Sequence, residues 1–128
     1  ILMDIKAWNG VDARKKGNPE NRQGQVFLNA KTVSDTISSG IGTDGVYRDP
    51  WGSPYMITLD LNYDNATRDA FYRSDKVNEG RTNLFKVDRD SHEVKSGVMV
   101  WSFGPDRRVD MNEKANQGLN KDNILSWE

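Results

Sequence analysis

The sequence predicts an α+β fold in which an N-terminal helix packs on a small antiparallel sheet and an ordered loop closes the chain. Three observations predict it. The first residues carry apolar side chains at helical spacing, the middle of the chain alternates apolar with polar residues, and the end returns to apolar residues after a long polar stretch. A chain of 128 residues is expected to form a single domain over residues 1–128.

Residues 1–8 are predicted to be the last turns of a longer helix. Ile1, Leu2, Ile5 and Trp8 stand at positions i, i+1, i+4 and i+7, and Gly10 follows as a helix stop. A segment this short does not form a stable helix alone. Because the chain begins at Ile1 and not at Met, we expect a trimmed or processed protein whose upstream helix is missing.

Residues 49–103 are predicted to form a Trp-containing turn followed by the sheet. Segment 55–61 alternates apolar and polar side chains, as a half-buried strand does, and segment 97–103 is the most apolar run of the chain. Further strands are expected at 70–73 and 83–88. Residues 104–128 are predicted to be an ordered loop and terminus, because Trp127 is expected to dock after so many polar residues.

Composition excludes several classes of protein. The formal net charge is −1, from 18 Lys and Arg against 19 Asp and Glu, and no basic face suited to nucleic acid is visible. The chain has no Cys, so disulfides and thiolate chemistry are absent. No apolar run approaches the roughly 20 residues that a membrane span requires.

No enzymatic motif is present, and we expect no catalytic residues. His92 is the only histidine and lies in a polar segment, where a surface role is expected. The chain lacks a nucleophile elbow, a Walker loop and a dinucleotide fingerprint. A pair of carboxylates acting as in a glycosidase is the weakest hypothesis that the sequence leaves open.

The C-terminal stretch is rich in oxygen ligands. Its acidic and amide residues include Asp106, Asp110, Asn112, Asp122 and Asn123. Hard cations such as Ca²⁺ take six to eight oxygens from carboxylates, amides and backbone carbonyls. The spacing is not that of an EF-hand. Composition alone therefore allows either a cation site or a solvated loop.

Three segments in order resemble the major pseudopilin of type II secretion systems and its type IV pilin-like relatives. They are "DPWGSPY" at 49–55, "WSFGPD" at 101–106 and "NILSW" at 123–127. The resemblance covers about the last eighty residues, and it implies a pilin-like fold in which the Trp turn leads the chain from the helix onto the sheet. It also explains the start at Ile1, because the hydrophobic half of the family's N-terminal helix is commonly deleted to obtain a soluble domain.

The resemblance implies structural roles for the motif residues. Trp51 is expected to plug the junction of helix and sheet, and Gly52 to permit the bend. The residues that match the family's structural motifs are Asp49, Pro50, Trp51, Gly52, Pro54, Tyr55, Ser102, Gly104 and Trp127.

The resemblance also implies a possible calcium site. Major pseudopilins bind Ca²⁺ in the loop after the S-x-G-x-D segment, which Ser102 and Asp106 match here. Asn123 stands where the family tends to place an Asp, four residues before the terminal Trp. The implied ligands are Asp106, Asp110, Asp122 and Asn123.

The function implied is that of a structural subunit of a secretion pseudopilus or pilus-like fibre. Expected partners are copies of the chain, other pseudopilins and secretion-machinery subunits, with no nucleic acid. The expected location is the bacterial inner membrane, on its periplasmic face, or a periplasmic fibre, through the missing methylated helix. A minor pseudopilin and a pilin-like paralogue stay open. The alternative from another class is a stand-alone glycan- or peptide-binding module with an aromatic cleft.

Overall fold

A computed structural model describes the backbone of residues 7–8 and 11–12, and residues 28–78, 83–89 and 91–128 in full. The chain divides into two compact units, Ile1–Gly52 and Ser53–Glu128. The expectation of a single domain stays a prediction.

The first unit contains two short antiparallel pairs. Strands β1 (Ala7–Trp8) and β2 (Val11–Asp12) pair with Trp8 opposite Val11. Strands β3 (Gly40–Ile41) and β4 (Tyr47–Arg48) pair with Ile41 opposite Tyr47. The turn between β3 and β4 places Asp44 four residues before Arg48, and their side chains form an ion pair at 2.6 Å.

The predicted helix over residues 1–8 is wrong at its end, because Ala7–Trp8 is a strand. The residues between β1 and β2 are Asn9 and Gly10, and this dipeptide is the strongest short sequence signal for a two-residue hairpin. A glycine at this position is also common after the last residue of a helix, so Gly10 fits the helix prediction as well. Residues 1–6 lie outside the described residues.

The second unit is organised around a three-stranded antiparallel sheet. Its strands are β5 (Met56–Leu59), β8 (Val98–Ser102) and β9 (Ile124–Leu125), in the order β5-β8-β9. The strands predicted at 55–61 and 97–103 are confirmed, each somewhat shorter than expected.

A second hairpin joins β6 (Phe85–Asp88) to β7 (Ser91–Glu93) and confirms the strand predicted at 83–88. The strand predicted at 70–73 is wrong. The Asp69 carboxylate accepts the backbone N–H groups of Phe71 and Tyr72, at 2.9 and 3.0 Å, which bends the chain into a turn. The turn leads into the four-residue helix α1 (Asp75–Asn78).

The predicted fold class is also wrong. The described residues form small antiparallel sheets, and their helical content is α1 together with a three-residue 3-10 helix, Gly118–Asn120. They contain no helix packed on the sheet. Apolar residues in this part of the sequence recur with a period of two, which suits strands. The four-residue helix α1 is too short to cover a face of the sheet.

The core of the second unit lies on one face of the sheet. Met99, Trp101 and Leu125 contribute from β8 and β9, and the turn before α1 contributes Phe71 and Tyr72. Trp127 packs against this cluster from the C-terminal side. The expected docking of Trp127 is therefore confirmed.

Candidate functional site

The central strand β8 pairs with the strand that follows the first motif segment and with the strand of the third. On one side it pairs with β5, the strand that follows the Trp turn, with Trp101 opposite Met56. On the other side it pairs with the "NILSW" segment, with Trp101 opposite Leu125 and Ser102 opposite Ile124. Strands separated by more than twenty residues in the sequence are thus adjacent in the structure.

Aromatic rings fix the inner face of this sheet. The Trp101 ring stacks on Phe71 with centroids 5.2 Å apart and meets Tyr72 edge-on at 5.1 Å. Tyr72 meets Trp127 edge-on at 5.2 Å. Edge-to-face and offset arrangements at this spacing favour the ring quadrupoles and stabilise the packing beyond the burial of area. Tyr72 therefore connects the strand of the second motif to the terminal Trp.

Asp69 ties the sheet to the aromatic cluster. One carboxylate oxygen accepts the Thr58 hydroxyl at 2.8 Å and the Trp101 indole N–H at 3.2 Å. The other accepts the two backbone N–H groups that form the turn before α1. Asp69 is buried, and a buried carboxylate is tolerated when donors surround it in this way.

The C-terminal loop is ordered by a buried amide. The Asn120 side chain accepts the Asp110 backbone N–H at 2.9 Å and donates to the backbone carbonyls of Asp110 and Glu113, at 2.7 and 2.9 Å. Ala115 donates its backbone N–H to the Val77 carbonyl at 2.7 Å. These bonds hold the polar segment against α1 and confirm the expected ordered loop.

The start of this loop contacts its end at Gly104. Gly104 has φ +71°, and a Cβ at this position would collide with the Asp122 backbone carbonyl. The Asp122 carboxylate also accepts the Asp106 backbone N–H at 3.2 Å. The glycine of the second motif is therefore required by the close approach of residue 122.

Two of the four predicted calcium ligands present oxygens that suit a cation. Asp122 Oδ1 and Asn123 Oδ1 are buried and have no hydrogen-bond partner. The Asn123 amide nitrogen donates to the Tyr72 hydroxyl at 2.9 Å, so the amide oxygen is left for another group. An orphaned buried oxygen is costly, and a bound cation would satisfy it.

The other two predicted ligands are engaged in their own turns. Asp106 Oδ1 accepts the Arg108 backbone N–H at 2.8 Å, and Asp110 Oδ1 accepts that of Asn112 at 2.8 Å. No group of three or more His, Cys, Asp or Glu side chains is gathered for a metal in the described ranges. Backbone carbonyls and water would have to complete a shell, and the calcium site stays a prediction.

The Trp turn itself is formed at the end of the first unit. Gly52 donates its backbone N–H to the Asp49 carbonyl at 3.1 Å, and the Asp49 carboxylate accepts the Trp51 N–H at 2.9 Å. Gly52 has φ +87°, and a Cβ there would collide with the Ile37 carbonyl. The turn is as expected, but Trp51 is 38% exposed and is not a buried plug.

The remaining motif residues flank the sheet. Pro54 is exposed and Tyr55 half-buried at the entrance of β5, and Ser102 is buried at the end of β8. The Ser102 hydroxyl accepts the Gly104 backbone N–H at 3.1 Å and so orients the following turn.

A cavity of about 410 Å³ lies beside the loop that follows β5. Asp60, Asp64 and Glu93 line it with Arg68, and no Trp or Tyr does. Glu93 is paired with Arg68 at 3.4 Å, and the Asp60 carboxylate accepts backbone N–H groups of its own loop, at 2.8 Å from Tyr63. This cavity lacks the aromatic walls expected of a glycan-binding cleft.

Among the described residues, the pKa values that depart clearly from their usual range lie in the first unit, at Asp35, Asp44 and Arg48. Hydrogen bonding to the Arg48 guanidinium lowers the pKa of Asp44 from 3.8 to about 2, and it raises that of Arg48. Hydrogen bonds from the Ser38 hydroxyl and nearby backbone lower the pKa of Asp35. These carboxylates are therefore ionised at neutral pH and fix turn geometry.

Sequence reasoning missed the residues that hold the site together, chiefly Asp69, Tyr72 and Asn120. None belongs to a motif, and an isolated Asp or Asn in a polar stretch is usually solvated. The available signal was the "RDAFY" segment at 68–72, where a turn-forming Asp stands two residues before a pair of aromatics.

Within the part of the chain that the structure describes, no helix is long and apolar enough to span a bilayer. Comparison of the chain with protein-family models, curated proteins and solved structures found no match.

Proposed function

We propose that the chain is a structural subunit of a type II secretion pseudopilus or a related pilus-like fibre. One observation carries the proposal. Two of the three segments that resemble the pseudopilins pair in one sheet, with the "WSFGPD" strand at its centre and the strand of the terminal "NILSW" segment beside it, and the strand on the other side begins directly after "DPWGSPY".

The packing is of a kind that suits a structural role. The described polar network at Asp69 and Asn120 satisfies backbone and ring donors of the fold itself. The one described cavity with acidic walls has its Glu93 carboxylate paired with Arg68. These contacts stabilise the fold, and a fibre subunit acts through the surface that its fold presents.

In this proposal, an apolar methylated helix N-terminal to Ile1 anchors the subunit in the bacterial inner membrane before assembly. The described domain faces the periplasm and contacts copies of itself, other pseudopilins and the secretion machinery. Calcium, bound through Asp122 and Asn123, would fix the C-terminal loop against the end of β8. Ca²⁺ would coordinate these two buried oxygens and compensate the charge of the Asp122 carboxylate.

The test is the mature N-terminus of the native protein, determined by mass spectrometry of material isolated from bacterial membranes. An N-methylated residue opening a long apolar helix is expected, since prepilin peptidases produce this end. A signal-peptidase end near Ile1, with no apolar helix attached, would overturn the proposal.

A second test addresses assembly. Deletion of residues 124–128 from the full-length protein removes β9 and Trp127, and we expect secretion or fibre formation to be lost. The matched control is Val87→Lys on the separate β6–β7 hairpin, which leaves the three-stranded sheet intact. Unimpaired assembly without β9 would contradict the role given to this sheet.

A further inference from the structure

Two buried oxygens of the C-terminal loop belong to residues whose other side-chain polar atom is already bound. Asp122 Oδ2 accepts the Asp106 backbone N–H at 3.2 Å, while Asp122 Oδ1 has no hydrogen-bond partner. The Asn123 amide nitrogen donates to the Tyr72 hydroxyl at 2.9 Å, while Asn123 Oδ1 has no hydrogen-bond partner. In each residue, one atom is held by the protein and one oxygen is left for another group.

The contribution of Asn123 depends on the direction of its amide. Asn123 is 7% exposed, so bulk solvent does not satisfy its oxygen. An amide, unlike a carboxylate, has two different ends, and a half-turn about the last side-chain bond exchanges the oxygen with the nitrogen. The nitrogen only donates hydrogen bonds and cannot take the place of a cation ligand. The group that binds the nitrogen therefore determines whether the oxygen is presented.

The Tyr72 hydroxyl is held in place by the packing of its ring. Tyr72 is fully buried. Its ring meets three aromatic rings edge-on at centroid distances of 5.0, 5.1 and 5.2 Å, those of Phe71, Trp101 and Trp127. Its backbone N–H is bound by the Asp69 carboxylate at 3.0 Å. Core side chains packed on all sides keep a single rotamer, so the hydroxyl is a fixed point for the amide that contacts it.

We infer that Tyr72 is the positioning residue of the cation site: its hydroxyl accepts the Asn123 amide nitrogen and so keeps the amide oxygen directed at the cation. The inference rests on the calcium site of the proposed function, and it adds the residue that orients one of the ligands. Groups behind the ligands of a metal commonly fix the orientation of those ligands, and their loss weakens binding about 10- to 100-fold.

The cation also determines the direction of the hydrogen bond at Tyr72. A tyrosine hydroxyl both donates and accepts, so it could bind either end of an amide. When the Asn123 oxygen coordinates the cation, the amide nitrogen has the Tyr72 oxygen as its acceptor, and both ends of the amide are satisfied. With the amide reversed, its N–H groups would point at the cation and be repelled. Cation binding and acceptance by the Tyr72 hydroxyl therefore favour each other.

Luminescence of bound Tb³⁺ provides the test, because this ion takes the oxygen ligands that Ca²⁺ takes. Tyr72→Phe removes the hydroxyl and keeps the ring, and its affinity for Tb³⁺ should fall about tenfold or more. Tyr63→Phe is the matched control at a tyrosine that is 90% exposed, and it should bind as the wild-type protein does. Far-ultraviolet circular dichroism confirms that both variants are folded.

A carboxylate at position 123 separates positioning from packing. Either oxygen of a carboxylate can face the cation, so its direction needs no partner. In the Asn123→Asp background, the further change Tyr72→Phe should therefore lower the affinity for Tb³⁺ by less than about twofold. If Tyr72 acted only through the stability of the fold, its hydroxyl would contribute equally with Asn and with Asp at this position.

The number of water molecules on the bound ion gives an independent readout. The luminescence lifetimes of Tb³⁺ in H₂O and in D₂O report this number. Tyr72→Phe should carry about one more coordinated water than the wild-type protein, since water replaces the amide oxygen that has turned away. Tyr63→Phe should leave the number unchanged.

The outcomes separate this inference from the proposed function. Wild-type affinity in Tyr72→Phe, or an equal loss of affinity with Asn and with Asp at position 123, overturns the positioning role and leaves the cation site standing. A wild-type protein that does not bind Tb³⁺ overturns the positioning role together with the calcium site. The subunit proposal is decided separately, by the mature N-terminus.

Discussion

At Asp69, a single carboxylate connects three parts of the second unit. It accepts bonds from the Thr58 hydroxyl of β5, the Trp101 indole of β8 and the backbone of the turn before α1. Asp69 is 3% exposed, so water does not replace a lost bond. Hydrogen bonds to a charged group contribute more than neutral ones, and leaving a buried donor without an acceptor is costly.

Asp69→Asn should therefore lower the free energy of unfolding by about 3 kcal/mol. The new amide nitrogen cannot accept a hydrogen bond, whichever of the two carboxylate oxygens it replaces. Urea unfolding followed by tryptophan fluorescence measures the change. Asp64→Asn, at an exposed carboxylate in a surface loop, is the control, with an expected change of about 0.5 kcal/mol or less. Equal losses in the two variants would contradict the role of Asp69.

Asp44 provides a prediction for pH. Its folded-state pKa of about 2 lies below the usual 3.8, so its contribution to stability is present above pH 3.8 and is lost as the pH falls through about 2. Arg48→Gln should move the pKa of Asp44 back toward 3.8, as measured by NMR titration of the carboxyl carbon. The pKa of Asp35 should rise less, because the Ser38 hydrogen bond is the main cause of its lowering and the charge of Arg48 is the smallest. An unchanged Asp44 would show that Arg48 is not the cause.

Among the elements, β8 is the one on which the second unit depends, because it has a partner strand on each side. Its last residues also set the following turn, through the bond from the Gly104 backbone N–H to the Ser102 hydroxyl. Gly104 then passes against residue 122, just before β9. The close approach and the pairing of β8 with β9 are therefore parts of one arrangement.

Gly104→Ala should reduce the free energy of unfolding by about 2 kcal/mol or more, because the added Cβ meets the Asp122 carbonyl and φ is positive. Thermal unfolding measures the loss. Gly97→Ala is the matched control, since a Cβ at Gly97 meets nothing within 4 Å. An equal loss of stability in Gly97→Ala and Gly104→Ala would contradict the explanation by the close approach of Gly104 to Asp122.

The elements that could be predicted from the sequence are those with a clear local period. β5 and β8 lie in segments whose apolar residues alternate or run together, and both were found. Residues 7–8 were misjudged because eight residues fit a helical stripe by chance, while the Asn9-Gly10 signal depends on two residues. The turn at 70–73 has no apolar period, because it depends on the Asp69 side chain, and its one signal in the sequence is that Asp two residues before Phe71.

The candidate site was predicted less well than the strands. Asp122 and Asn123 have the orphaned oxygens that a cation needs, but Asp106 and Asp110 are engaged in their own turns. Both facts depend on side-chain directions in an irregular loop, and composition does not encode them. The same holds for Asn120, whose amide orders that loop.

At the scale of the whole molecule, stability is expected to be linked to calcium. A ligand that binds the native state stabilises it by about 2.7 kcal/mol at a hundredfold excess over its dissociation constant. The melting temperature of chelator-treated protein should therefore rise with Ca²⁺, and Asp122→Asn should reduce the rise. Asp64→Asn is the control and should keep it. Identical melting temperatures with calcium and with chelator would contradict the metal site and leave the subunit proposal intact.

The position of β9 has a consequence for synthesis. β8 gains its second neighbour from residues 124–125, and Trp127 reaches the Tyr72 ring, so the sheet is completed by the last residues of the chain described. A nascent chain halted at residue 110 holds β5 and β8 but cannot close the core. Messages cut short before β9 would therefore yield polypeptides with an open core, and proteases cleave such chains more readily than folded ones.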